Sequence, residues 1–177
     1  MAKPSNYPPL TNNPVIVVGP QFCSRNPIDL TIMKKVLSLG EGKFIVTAVN
    51  DDLLVKMFSA HGRWEVFRGD SPDSKNLLFN AKTTSLFQFM TKLDVFLAAN
   101  TMEGVSDFKV KGSWSERSCK IYVGDFCVQM HKKLSVQSEL FGKDNYIVTV
   151  HPNVDYAFIV ALIIVLNAII GTTARNA

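Results

Sequence analysis

The sequence is short of the residues that carry catalysis and metal binding. Its 177 residues include three histidines and three cysteines. His61, His131 and His151 stand far apart. None lies at metal-ligand spacing from another histidine, a cysteine or a pair of carboxylates. No HExxH, GxSxG or P-loop pattern occurs, and no GxGxxG precedes a helical stretch. The expectation is a non-enzymatic protein with no catalytic, cofactor-binding or metal-ligating residue and no cofactor. Cys23, Cys119 and Cys127 form no CxxC pair and leave an odd count. No Asn-x-Ser/Thr acceptor and no secretory leader pattern is present, so a reducing, intracellular location is expected. That covers the cytoplasm or a membrane surface, with the nucleus also open, and excludes secretion. Charge is also modest: 19% of residues are charged, with a net charge of +4 and a pI near 9.0. Such a balance permits contact with anionic lipid or nucleic acid without demanding either.

What the chain does have is one long apolar run near its end. From Ala157 to Leu166 every residue is apolar. A helix apolar on all sides must be enclosed by protein or by lipid. A membrane span needs about 20 such residues, and runs of about 10–14 are more often buried core helices. The first reading is a buried helix over about 154–170, with Asn153 as its cap and Asp155 in its first turn. A tail anchor is the second reading, since Asn167 and Ala168–Ile170 extend the run. A buried strand is the third, because Ile159, Val160, Ile163, Ile164 and Val165 are β-branched.

The rest of the chain reads as short strands broken by turns. Residues 1–14 hold Pro4, Pro8, Pro9 and Pro14 and suit a flexible arm. One domain is expected over 15–171, with a tail at 172–177. Val15–Val18 suits an edge strand, and Ile28, Leu30 and Ile32 alternate. Strands are expected at Phe44–Val49, from Leu53, at Trp64–Phe67, Leu77–Ala81, Leu86–Met90 and Asp94–Leu97, and at Tyr146–Val150. In Asp107–Trp114, Phe108, Val110 and Trp114 point inward, while Asp107, Lys109 and Lys111 point outward. Within Cys119–Met130, a turn at Gly124-Asp125 places Val123 opposite Phe126, Ile121 opposite Val128 and Cys119 opposite Met130. Cys119 and Cys127 then lie on opposite faces, which argues against a disulfide. Many short strands followed by one buried helix suggest an antiparallel sheet curled around that helix.

Basic residues are the remaining candidates. Lys109, Lys111, Arg117 and Lys120 cluster in sequence and form a candidate strip for lipid headgroups or acidic partners. Lys132 and Lys133 are further candidates for phosphate contact. The plain alternative is an ordinary charged exterior. Trp64 and Trp114 read as core aromatics rather than base-stacking platforms, so nucleic acid is the least favoured partner.

The runs Lys111-Gly112-Ser113-Trp114, Arg117-Ser118-Cys119 and Pro152-Asn153-Val154-Asp155-Tyr156-Ala157-Phe158 resemble the plant LURP-one-related family. Arg63-Trp64 with Val66-Phe67-Arg68-Gly69, Thr91–Leu97, Gln129-Met130-His131 and Gly142-Lys143-Asp144-Asn145 extend the likeness over about residues 15–166. The resemblance implies a fold like the C-terminal domain of tubby proteins and like phospholipid scramblases. That fold is an antiparallel β-barrel of twelve strands around a hydrophobic C-terminal helix. It implies no catalytic residue set, and the founding member of the family is linked to plant defence. Tubby relatives bind phosphoinositides through basic residues that do not map onto named positions here.

Two departures from the family follow. Relatives continue from the strand matching Leu53-Leu54-Val55 into about 25–30 further residues, a hairpin, before the segment matching Met57–His61. Here Val55 runs straight through Lys56, which implies about ten strands and a barrel that opens or closes with changed shear. The helix end, Leu166–Ile170, stays apolar where relatives turn acidic. The expected function is phospholipid or protein binding related to defence. The alternatives are a membrane-anchored, scramblase-like protein and a truncated duplicate without function.

Overall fold

The computed structural model describes residues 14–32, 37–38, 44–47, 54–69, 71–87, 90–113, 118–123, 126–133 and 146–173. Eleven strands are found there: β1 (Ile28–Ile32), β2 (Leu37–Ser38), β3 (Phe44–Thr47), β4 (Leu54–Ala60), β5 (Arg63–Arg68), β6 (Leu77–Phe87), β7 (Met90–Leu97), β8 (Phe108–Ser113), β9 (Ser118–Val123), β10 (Phe126–Lys133) and β11 (Tyr146–Val150). A C-terminal helix, α1 (Tyr156–Thr173), follows. The strands form one antiparallel sheet in the order β1-β11-β10-β9-β8-β7-β6-β5-β4-β3-β2. Consecutive strands from β2 to β11 are neighbours, and β1 returns to pair with β11.

The expectation of an antiparallel sheet around a buried C-terminal helix holds in that coarser form. Eleven strands are present, and among the described residues no ladder joins β1 to β2. The architecture is a mainly β, antiparallel sheet with a helix against its inner face. Residues 1–13 of the arm expected at 1–14, and the Gly124-Asp125 turn, lie outside the described residues.

Alternation explains the sheet's two faces. In β8, Phe108 and Val110 are buried while Lys109 and Lys111 are exposed. In β5, Trp64 and Val66 are buried while Arg63 and Glu65 are half-buried. The β4–β5 turn uses His61 and Gly62, with φ of 50° and 76°, between the paired Ala60 and Arg63. Two positive φ values in a two-residue loop match the twist of the flanking strands, and glycine meets that demand without a Cβ penalty. The expected hairpin register holds: Phe126 faces Val123, Val128 faces Ile121 and Met130 faces Cys119. Leu77–Ala81 and Leu86–Met90 were expected as separate strands, but Leu86 and Phe87 continue β6 and Met90 begins β7. A bulge between Thr83 and Ser85 resets the alternation without ending β6.

Helix α1 fills the inner side of the sheet. Between Ala157 and Leu166 every residue except Val160 is buried. Phe158 sits edge-on to Phe79, ring centroids 5.2 Å apart, and lies 4.9 Å from the ring of Phe108. The seven large side chains among these buried residues, at about 1.5–3 kcal/mol each, set an upper bound of about 10–21 kcal/mol of burial. That accounts for the apolar run by enclosure in protein. The helix has 18 residues, which at about 1.5 Å each is about 27 Å, short of a bilayer core of about 30 Å. No helix among the described residues is long and apolar enough to cross a membrane.

The start of the helix departs from expectation. Asn153 takes a left-handed φ of 61° and precedes a single bridge between Val15 and Val154. The cap is Asp155. One carboxylate oxygen accepts from Phe158 N at 3.1 Å. The other accepts from three consecutive backbone N–H groups, Val17 at 3.1 Å, Val18 at 2.6 Å and Gly19 at 3.0 Å. Val15–Val18, expected as an edge strand, makes that one bridge and then turns its N–H groups onto Asp155. A buried carboxylate requires such donors, and this one draws them from a segment 136–138 residues away. Its charge and the burial around it push the neighbouring Cys23 thiol up, burial being the larger cause.

Candidate functional site

The outer face of β5–β9 carries most of the charged groups that sequence and structure point to. Strand pairing places Lys92 opposite Lys111 and Lys111 opposite Lys120. Three lysines therefore form one lateral row across β7, β8 and β9. With strands about 4.8 Å apart, the row spans about 10 Å. Like charges directly opposite one another destabilise a sheet by some tenths of a kcal/mol per pair. All three side chains are exposed, where water screens them. Among the described residues none of them makes a salt bridge. Lys111 Nζ lies 5.0 Å from the ring centre of Tyr122.

Lys109 belongs to the next row. It faces Asp94 on one side and Tyr122 on the other. An acid in that row offsets its charge. Of the six expected candidates, Lys109, Lys111 and Lys120 therefore come together. Lys132 and Lys133 lie on β10, paired with Val148 and Ile147 of β11. By register Lys133 is four residues beyond Gln129, the partner of Lys120, or about 13 Å along the strand. Arg117 lies outside the described residues. Lys92 was not expected. It lies nineteen positions before Lys111 in the sequence, and only the β7–β8 pairing joins them.

A second cluster on the same face escaped sequence reasoning entirely. Arg63 donates two hydrogen bonds to the Glu103 carboxylate, at 2.9 and 2.6 Å. Lys82 pairs with the same carboxylate. Asn80 Nδ2 donates to it at 3.2 Å, while Asn80 Oδ1 is buried with no partner. These donors alternate along β5 and β6 with the buried Trp64, Phe79 and Ala81, so they lie on the outer face. Glu103 belongs to the β7–β8 loop and adopts a φ of 48°. Hydrogen bonds from Arg63 and Lys82 hold its carboxyl down at about 2, against an ordinary value of 4.5. The hydrogen bond to Glu103 in turn raises the Arg63 guanidinium.

The same loop is held at further points. Asn100 Oδ1 accepts from Glu103 N at 3.1 Å. Asn100 Nδ2 donates to Val105 O at 2.8 Å and to Asp107 Oδ2 at 2.9 Å. Asp107 Oδ2 also accepts from Leu97 N at 2.9 Å. Asn100 and Asp107 are residue types that favour such turns, but Glu103 offered no local signal of its role.

Chemically, this face is a preformed array of ammonium groups next to a loop fixed by internal bonds. It suits binding of anionic groups by charge.

Comparison with known proteins agrees with the motifs. The LURP-one-related family pattern matches residues 35–167. Protein LURP-one-related 15 of Arabidopsis thaliana is 44% identical over 183 positions, covering 86% of this chain and 84% of that protein. Protein LURP-one-related 10 of the same plant is 43% identical, covering 86% of this chain and 95% of that protein. A crystal structure of an Arabidopsis thaliana protein is 40% identical with a TM-score of 0.58, covering 87% of this chain and 98% of that one. The 183 positions aligned with LURP-one-related 15 take up 86% of 177 residues, or about 152, so about 30 positions have no residue of this chain opposite them. That is the size of the missing segment inferred from the motifs. With the family pattern covering most of its length, the chain belongs to the LURP-one-related family.

Proposed function

We propose that this is a non-enzymatic, tubby-like protein that binds anionic phospholipid headgroups at an intracellular membrane surface, in a pathway of plant defence. The observation that carries the reading is the row Lys92–Lys111–Lys120, three exposed ammonium groups in lateral register with no acid in the row. Family membership and the lack of a catalytic constellation in the sequence support it. Burial of the C-terminal helix removes the need for a tail anchor to explain the apolar run. Each lysine near an anionic bilayer contributes about 1 kcal/mol. Replacing all three by glutamine is therefore expected to weaken binding by roughly 100-fold. The test is co-sedimentation with phosphatidylcholine vesicles, with and without phosphatidylserine. Wild-type protein that stays in the supernatant with anionic vesicles sinks the proposal, as does a triple variant that binds equally well.

A further inference from the structure

The β7–β8 loop, residues 98–107, is held rigidly yet displays apolar side chains. Met102 is 89% exposed and Val105 is 79% exposed. Ile16, at 44%, is the other exposed large apolar residue among those described. Single exposed apolar residues need no explanation. Two such residues three positions apart, in a loop fixed by this many bonds, are a different case. Glu103, between them, is drawn onto Arg63, Lys82 and Asn80 on the outer face. Asn100 holds the loop backbone at Glu103 N and at Val105 O. The backbone is thus pinned, and Met102 and Val105 are presented without an ordering cost on contact.

The direction of presentation matters as well. The loop lies over the outer face because its anchors alternate with inward residues, and the outer face also carries Lys92, Lys109, Lys111 and Lys120. Apolar tips on the face that carries the Lys92–Lys111–Lys120 row, with Lys111 about 13 Å along β8 from the end of the loop, are complementary to one surface in particular, an anionic bilayer. Its headgroups meet the lysines, and its acyl boundary takes the side chains. We infer that the 98–107 loop is a membrane-docking loop, with Met102 and Val105 entering the interface while Glu103 holds the loop against the sheet. This rests on the proposed lipid binding and adds a salt-insensitive component to it.

The two components separate by ionic strength. Binding of wild type, Met102→Ser/Val105→Ser and Lys92→Gln/Lys111→Gln/Lys120→Gln is measured on phosphatidylcholine vesicles containing phosphatidylserine, from about 50 to 200 mM salt. The loop variant is expected to bind roughly tenfold more weakly at every salt concentration, with the wild-type salt dependence kept. The lysine variant is expected to lose most of the salt dependence. Because Met102 and Val105 are exposed, the loop variant should keep the wild-type melting temperature. Equal binding by the loop variant and wild type overturns the docking loop while leaving headgroup binding in place. A loop variant whose loss disappears at high salt overturns it too. Failure of the wild type to bind these vesicles overturns both readings.

Discussion

Two carboxylates pin irregular chain onto regular structure in this protein, and they recruit opposite kinds of partner. Asp155, fully buried, takes neutral backbone N–H groups from Val17, Val18, Gly19 and Phe158. Glu103, on the outer face with 15% of its side chain exposed, takes the cations Arg63 and Lys82. The difference follows from solvent. In the interior, bringing in a cation would add a second desolvation cost, and backbone donors that must be satisfied anyway serve instead. Near the surface, long cationic side chains keep their ends partly hydrated and pay little to pair. The first arrangement locks the helix into the sheet. The second fixes a loop without sealing it from the surroundings.

The strongest way to break the comparison is to empty the core side of it. Phe158→Ala removes the ring between Phe79 and Phe108 and is expected to cost about 3–5 kcal/mol. Chemical denaturation checks this, and the wild type should unfold in one cooperative transition. A broad wild-type transition would indicate that the shortened sheet does not form a unified core. Asp155→Asn is expected to cost about 3 kcal/mol, because an amide offers one oxygen where two carboxylate oxygens serve four N–H groups. A loss below about 1 kcal/mol would mean that the Val17–Gly19 segment finds other acceptors.

Glu103→Gln is expected to cost less, about 1–2 kcal/mol, since Arg63 and Lys82 can turn to water. Its pH dependence gives a sharper test. The Glu103 carboxyl is depressed from 4.5 to about 2 in the folded protein. The stability it adds is therefore complete above about 4.5 and is lost as pH falls towards about 2. The gap in melting temperature between wild type and Glu103→Gln should be constant near neutrality and shrink across that window. The smallest effect is expected at Lys111→Gln. Relief of repulsion from Lys92 and Lys120 should raise stability by a few tenths of a kcal/mol, with melting temperature as the measure. A clear loss would show that Lys111 is structural, through its contact with Tyr122 — an outcome at odds with a binding role for the row.

Local pattern was readable where one face of an element is dry. Phe108 and Val110 point inward, and the 119–130 hairpin has the expected register, because a one-residue slip would turn every apolar side chain to water. The strand count and the cap were harder. A bulge at Thr83/Ser85 hides a long strand behind a change of phase. At the helix start the sequence suggests Asn153 as the cap, with Asp155 in the first turn. The choice falls to Asp155 because Val17–Gly19 brings donors to it from the other end of the chain. For the outer face, Lys109, Lys111 and Lys120 were visible as near neighbours in sequence. Lys92 and Glu103 were not, since neither has a local partner.

The sequence by itself determined that the chain is mainly β, that its last apolar run needs enclosure, and that its motifs are those of the LURP-one-related family. These depend on side-chain period, apolar length and residue identity, which are local properties. The tertiary structure alone decided which lysines share a row, which carboxylate caps the helix, and that β1 returns to pair with β11. Those depend on pairing between distant segments, where the energy of one contact is set by groups that no local window contains.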